Sequence, residues 1–548
     1  MIDRTLVIAP DLILYNGKII TVDENFTIAE AVAIKDGKFV GVGTNHHILS
    51  LAKESTKKVD LHGKTVIPGL IDAHFRLLDR ATAQKYGANI SLTGSVSDIL
   101  EAVKEATARI PKGQVITSNS GWFPQMLQEG RDPTKEELDQ VAPEHPVILR
   151  GEYIYLNSLA LKQFSITKDT PQLEYGWIEK DPRTGEPTGV LMGDASKLVK
   201  GVHLKFSEQE KSDALIWALQ ECSKAGITSI REGGISIPDL RLYHQLYRQG
   251  KLTIRVSAQL SLNMSLPIGE ILHNFEQYYL NNPFGDRWLQ VDRASYIFAD
   301  DEYNRSNLSS PIYNQRVPQE RVRRFHSTRD GSKEKVEQII TGMAKLGISG
   351  GILAGGDRAI DEVLDILDRV NDIYPLSDRR WIISQLFYPK ERHLAKMKKL
   401  GVVLTPMWHH YYYYPALEVY HGRVVAQTMD PFKMLVESGV TVGLGSDISS
   451  IPLNYFTAIY FLHTRNSWKW GKVNPEQGIS REQALRLLTI NNAYVTFEEK
   501  EKGSIESGKL ADLLILSDDI MTVPAEKIPL IKPLVTIING QVVYGQKI

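Results

Sequence analysis

Residues 66–78 read Val-Ile-Pro-Gly-Leu-Ile-Asp-Ala-His-Phe-Arg-Leu-Leu, an apolar stretch that ends in His74 with Arg76 two positions on. In an extended strand, residues two apart point to the same side. Two histidines so spaced converge on one metal ion, since imidazole nitrogen is a standard ligand of zinc and its neighbours. Here the second position is Arg76, whose guanidinium stays protonated and has no lone pair to give. The pattern is that of a metal-assisted hydrolytic site with one ligand exchanged. Much then turns on whether the other ligands survive.

The elements that must position such a site are legible as a rhythm. Eight strand candidates run through the middle of the chain: Leu70–His74, Ile227–Arg231, Ile254–Gln259, Ala294–Phe298, Gly351–Ala354, Trp381–Gln385, Val402–Pro406 and Val442–Asp447. Helical patterns such as Lys211–Ala225 and Lys333–Leu346 lie between them, which suggests a parallel sheet or barrel. The stretch from about 80 to 200 breaks the rhythm and reads as an insertion after the first strand. Ser480-Arg-Glu-Gln483 is a capping box opening a late helix. Both ends carry short strands with tight turns, for example Ala31-Val-Ala-Ile-Lys-Asp-Gly-Lys38 and Val535-Thr-Ile-Ile-Asn-Gly-Gln-Val-Val543. Neither end offers a large core alone; together they could build one small β-sandwich. The expected division is residues 1–65 plus 495–548 for a composite sandwich and 66–494 for the barrel.

Composition sets the outer bounds. The 548 residues exceed one ordinary core but suit a large barrel plus a small second domain. Hydrophobic residues at 42% and charged residues at 24% fit a soluble globular protein. A formal net charge of −1 gives no strong pull toward nucleic acid or an anionic membrane. The single cysteine, Cys222, excludes an intrachain disulfide and a cysteine-based zinc cluster. The first residues do not read as a signal peptide, and no apolar run is long enough to span a bilayer. A cytoplasmic location is the default expectation.

Several motifs, weak singly but ordered along the chain, carry a family resemblance. They are Val66-Ile-Pro-Gly-Leu-Ile-Asp-Ala-His74, Leu156-Asn-Ser-Leu-Ala-Leu161, Gly189-Val-Leu-Met, Gly356-Asp-Arg-Ala-Ile360, Gly445-Ser-Asp447 and Gly503-Ser-Ile-Glu-Ser-Gly-Lys-Leu-Ala-Asp512. The chain resembles the amidohydrolase superfamily, most closely its family-3 branch of formamide deformylase-like proteins, nearly end to end. The resemblance implies a (β/α)8 TIM barrel with a β-sandwich. It also implies metal-assisted hydrolysis of C–N bonds, with ligands at the C-terminal ends of barrel strands.

Carried over residue by residue, the resemblance keeps little of its ligand set. His74 matches the first histidine, and Arg76 stands where the second belongs. The bridging lysine position falls at Tyr296, the strand-five histidine at Leu353 and the strand-six histidine at Ser384; Asp447 is retained. A catalytic zinc normally has three protein ligands, so His74 and Asp447 alone cannot hold an ion tightly. Arg76 would either replace the cation electrostatically, pairing with Asp447 or a substrate anion, or form a structural ion pair in a vacated cavity.

The candidate catalytic residues are therefore His74, Arg76, Tyr296 and Asp447. His74 and Asp447 could serve as general base and orienting partner, and Tyr296 as proton donor or oxyanion binder. Arg150 and Glu152 in the insertion, and Arg231 and Glu232 at the end of strand two, are candidate substrate-binding residues; salt-bridged wall residues are their commoner role. Met407-Trp-His-His-Tyr-Tyr-Tyr-Tyr414 reads as a loop after strand seven. Trp408, His409, His410 and Tyr411 are its candidate pocket-wall residues, and the alternatives are an aromatic plug or a dimer contact. The expected cofactor is none, the alternative being one weakly bound divalent metal, with His409 or His410 as replacement ligands.

Three classes of function stay open. One is a metal-independent enzyme using acid–base chemistry on a small, aromatic or anionic substrate, by hydrolysis or by a lyase, isomerase or decarboxylase step. Another is a catalytically inactive ligand-binding homologue, and the third an ordinary metal-dependent hydrolase with rearranged ligands. The expected partner is a small-molecule substrate, with neither nucleic acid nor membrane, and a homodimer as an option.

Overall fold

The computed structural model describes residues 9–174, 176–199, 206–261, 263, 266–278, 285–292, 294–300, 307–310, 333–447 and 451–546. Its centre is a (β/α)8 barrel. The strands are Leu70–Phe75, Ile227–Ile235, Arg255–Leu260, a fourth in two pieces (Leu289–Val291 and Ala294–Phe298), Ser349–Ala354, Ile382–Gln385 and Val403–Pro406. Each pairs in parallel with the next. The fourth strand carries the sheet across its own break, since its first piece pairs with strand three and its second with strand five. Segment 442–447 supplies the eighth position. It bridges strand seven at Leu404–Val442 and Met407–Gly445. It meets strand one where Ala73 N donates to Leu444 O at 3.2 Å and Asp447 N to His74 O at 2.9 Å. The eight segments overlap those expected from the sequence, with strand two running on to Ile235 and strand four in two pieces.

The helices follow from local signals. Ser207 and Glu210 form a capping box, so the helix reads Glu208–Lys224, beginning ahead of the expected Lys211. Lys333–Lys345 is as expected. Ser480 and Gln483 make the reciprocal box that the sequence announced, opening helix Arg481–Leu487. The aromatic segment after strand seven differs from expectation: it is not a loop but the helix His410–His421, with Tyr412, Tyr413 and Tyr414 all buried. The contiguous aromatic run hid the 3.6-residue period, because residues 411–417 are apolar or aromatic all round the helix.

Strands from both ends of the chain share one six-stranded sheet. Its order is Gln541–Gly545, Pro533–Ile538, Leu513–Leu516, Thr65–Pro68, Lys18–Ile20 and Ile28–Ala29. A four-stranded sheet of Lys38–Gly43, Ala31–Lys35, Leu12–Tyr15 and Lys57–Asp60 packs with it through Leu14, Val32, Val66, Leu513 and Ile537. Asp36 and Gly37 turn one hairpin with φ of 48° and 75°, the paired positive values that a two-residue turn needs. Arg255 of barrel strand three reaches Asp512 beside this sheet with two hydrogen bonds of 2.7 and 2.9 Å, which ties sheet and barrel together. Between barrel strands one and two lies a five-stranded sheet in the order Gly176–Lys180, Pro187–Gly193, Ile154–Leu156, Val147–Arg150 and Ile116–Thr117, with its own core of Ile148, Leu156 and Leu191.

Candidate active site

The site forms at the seam between the first and eighth strands. His74 O accepts from both Ser446 N (3.2 Å) and Asp447 N (2.9 Å), which locks the two strand ends in register. Beneath them Asp72 accepts from His74 N at 2.8 Å and Ser446 N at 3.2 Å, and from the Tyr455 hydroxyl. Burial pushes the Asp72 carboxyl up to about 7. Asp447 has a φ of 47°, a left-handed conformation that aspartate tolerates better than most residues. Its Oδ1 lies 3.4 Å from His74 Nε2 and accepts from Arg76 Nε at 2.7 Å. Thus His74, Arg76 and Asp447 are brought together. His74 is fully buried, while the Arg76 side chain keeps 27% of its exposure, so the cluster meets solvent at Arg76.

A fourth member was missed in the sequence. Gln385 donates through Nε2 to Asp447 Oδ2 at 2.8 Å. The expected strand-six position, Ser384, instead shares a hydrogen bond with Thr405 at 2.9 Å. The one-residue slip has a backbone cause: Gln385 has a φ of 73°, so the strand ends and the side chain leaves the alternation. A φ of that sign on a non-glycine residue has no sequence signature.

Charge is arranged to keep the imidazole neutral and the carboxylate ionised. Burial lowers the His74 pKa, Asp447 opposes that, and the Arg76 and Arg231 charges lower it further. For Asp447 burial acts to raise the pKa, but the Arg76 charge and then His74 hold it well below the usual carboxylate range. Burial, with His410 beside it, brings His409 down to about 3.

The other candidates separate. His409 Nδ1–H donates to Ser446 O at 2.9 Å, which fixes the tautomer and leaves the lone pair on Nε2, buried and without a hydrogen-bond partner among the described residues. His410 packs ring against ring with His409 at 4.3 Å between centroids, but spends its Nδ1 on Asp430 at 3.1 Å and sets its ring edge-on to Phe387. Trp408 is fully buried, packed against Tyr412 and Tyr455. Tyr411 packs on Tyr412 and Phe461. These are packing contacts of the helix His410–His421, in which Tyr411 is half-buried.

Glu232 is corrected as well. Its two oxygens accept from Leu77 N at 2.6 Å and Leu78 N at 3.1 Å, capping the helix Leu77–Tyr86. Strand alternation sends its neighbour Arg231 to the other face, where Nε donates to Asp292 at 2.7 Å. The Arg150 side chain is exposed; its backbone bonds Ser118 and Trp122. Glu152 lies beside Tyr420, whose phenol burial and then that carboxylate raise. The side chain of Tyr296 lies outside the described residues; its backbone pairs with Gly351.

As metal donors, His74, His409 and Asp447 are the groups near the seam. Both Asp447 oxygens already accept hydrogen bonds, and the guanidinium of Arg76 stands beside them. Leu353 brings no lone pair. Among the described residues no group of three or more His, Cys, Asp or Glu is set to hold a metal ion. No helix among them is long and apolar enough to cross a membrane.

With this geometry in place, comparison gives the family. Residues 57–544 match the Amidohydrolase family, and the chain belongs to it. It is 25% identical over 559 residues to N-substituted formamide deformylase of Arthrobacter pascens, covering 97% of this chain and 98% of that one. It is 26% identical to the putative amidohydrolase YtcJ of Bacillus subtilis, covering 97% and 99%. Among solved structures, an uncharacterized metal-dependent hydrolase from Pyrococcus horikoshii superposes with a TM-score of 0.72 at 21% identity, covering 94% of this chain and 99% of that chain. That likeness supports the fold.

Proposed function

We propose that this amidohydrolase-family hydrolase cleaves a C–N bond of a small molecule by acid–base chemistry at His74, with the fixed charge of Arg76 doing electrostatically what a metal ion would do. The observation that carries the reading is the Arg76–Asp447–His74 constellation, with Nε 2.7 Å and imidazole 3.4 Å from the same carboxylate oxygen. The donor set does not fit a tightly bound ion, because a cation entering beside Arg76 would meet its fixed positive charge, and among the described residues no group of three or more His, Cys, Asp or Glu is set to hold one.

In this reading the neutral His74 takes a proton from water, the hydroxide attacks the substrate carbon, and Arg76 faces the oxyanion. Asp447 orients the imidazole and stabilises its protonated form. The substrate's amine leaves with the proton that His74 returns. A single relative's name suggests the first substrates to try, N-substituted formamides.

Elemental mass spectrometry of protein purified without added metal, with turnover measured in the presence of a chelator, tests the proposal. Near-zero metal, chelator-insensitive turnover and loss of turnover in His74→Gln are expected. One or two equivalents of metal, with chelator inhibition reversed by zinc or manganese, would overturn it. Ligand binding without product would point instead to a binding protein.

A further inference from the structure

Arg231 on barrel strand two and Gln259 on strand three make a second pair of polar side chains, Arg231 level with His74 and Gln259 further toward the C-terminal ends of the strands. Both residues are fully buried. Arg231 spends only Nε on Asp292, at 2.7 Å; its Nη1 and Nη2 are buried with no hydrogen-bond partner among the described residues. Gln259 leaves both its amide nitrogen and its amide oxygen in the same condition. Buried donors left unmade are costly, and native interiors rarely keep several together. The contrast with Arg255, on the same strand as Gln259, is direct: its Nε and Nη2 bond Asp512 and its Nη1 bonds Arg287 O.

The two residues share one face of the barrel wall. Arg231 is in register with Ser257, and Gln259 follows two positions along that strand, on Ser257's side. Ser257 Oγ donates to the same Asp292 oxygen that Arg231 Nε uses, at 3.1 Å. That carboxylate therefore holds the Nε edge and leaves the Nη1–Nη2 edge of the guanidinium uncommitted. Directly above, Gly233 continues from Arg231 toward the catalytic imidazole: a Cβ there would come within 3.3 Å of His74 Cε1 and 3.5 Å of Nε2. The charge of Arg231 is also felt at His74.

We infer that Arg231 and Gln259 bind a carboxylate. The free edge of the guanidinium presents two parallel N–H donors, the fork that a planar carboxylate accepts bidentately, and the Gln259 amide adds a third donor. The inference builds on the reading of the His74 seam as the substrate site. It deepens that reading by naming the substrate class, a small amide or amine derivative that carries its own carboxylic acid. The acid group seats on Arg231, and the scissile bond stands at His74.

The test is a binding experiment on the purified full chain and needs no turnover. Formate, acetate and benzoate are titrated by calorimetry at constant ionic strength, with chloride as the competing monoanion. Saturable one-to-one binding of a carboxylate is expected. Gln259→Leu, of similar shape and without the amide, is expected to weaken it about tenfold, the scale of one lost hydrogen bond. Arg231→Lys, which keeps the charge and loses the fork, is expected to weaken it further. If Arg231→Lys fails to fold, Gln259→Leu decides. Absence of saturable binding, chloride binding as tightly as the carboxylates, or unchanged affinity in Gln259→Leu would each overturn the inference. Carboxylate binding with no hydrolysis of any amide would sink the hydrolase reading and leave this site standing.

Discussion

Arg76 donates its Nε–H to Oδ1 of Asp447 at 2.7 Å, across the seam where the first and eighth barrel strands meet. The pair leaves Asp447 only 9% of its side-chain exposure and sets a permanent cation at the mouth of the site. Its removal has a signed consequence for His74. The Arg76 charge lowers the imidazole pKa, whereas Asp447 raises it. In Arg76→Met the first influence is gone and the second persists, so the pKa moves up. A general base works in its neutral form, and the acid limb of the kcat/KM profile should move to higher pH. Activity at neutral pH should fall by about 10²–10³-fold if the guanidinium stabilises an oxyanion. An unmoved acid limb would show that Arg76 does not act on His74.

Gln385 anchors the other oxygen of the same carboxylate. Gln385→Leu removes a hydrogen bond to a charged group and should cost about 1.5–3 kcal/mol in chemical unfolding. Gln385→Glu sets a second carboxylate beside Asp447 and should cost more. The reverse ranking would mean that Gln385 only fills space.

Glu232 should behave as a cap and not as a catalyst. Burial raises its pKa to about 8, against the two backbone N–H donors. The folded protein thus holds a proton that the unfolded chain releases near 4.5. Stability attributable to Glu232 falls as pH rises from 4.5 to about 8 and is flat above. Glu232→Gln has no such slope. Urea midpoints across that window, compared with wild type, test the sign, and turnover should be unchanged.

His409 gives the opposite slope. Burial holds it neutral down to about pH 3, while the unfolded imidazole protonates near 6.5. Stability is then lost as pH falls from 6.5 toward 3. His409→Gln should flatten the acid side of the profile between pH 6.5 and 5. Equal acid lability in the variant would assign the loss to other groups.

The barrel was legible because each strand is a short apolar run bounded by turns, and the seam because His74 and Asp447 end two of them. Alternation alone separates Arg231 from Glu232, yet nothing in the sequence tells which of the two faces the site. The adjacent His409 and His410 pack ring on ring, and their different partners, Ser446 and Asp430, are set by tertiary structure that their order in the sequence does not show. Gln385 was out of reach, since a φ of 73° at a strand end is a tertiary outcome. The run Tyr411–Tyr414 lacks the polar stripe that marks a helix, so its sequence alone resembles a loop.

Strand Thr65–Pro68 lies between Lys18–Ile20 and Leu513–Leu516 in the six-stranded sheet. On a ribosome its early edge is made first and its late partner comes after the entire barrel, a wait on the order of tens of seconds. Throughout that interval an apolar strand edge has no mate, which invites pairing with a neighbouring nascent chain. Synthesis therefore favours a protein whose barrel folds promptly and keeps that edge shielded, and production of this chain should be limited by chaperone supply sooner than by the stability of the finished molecule.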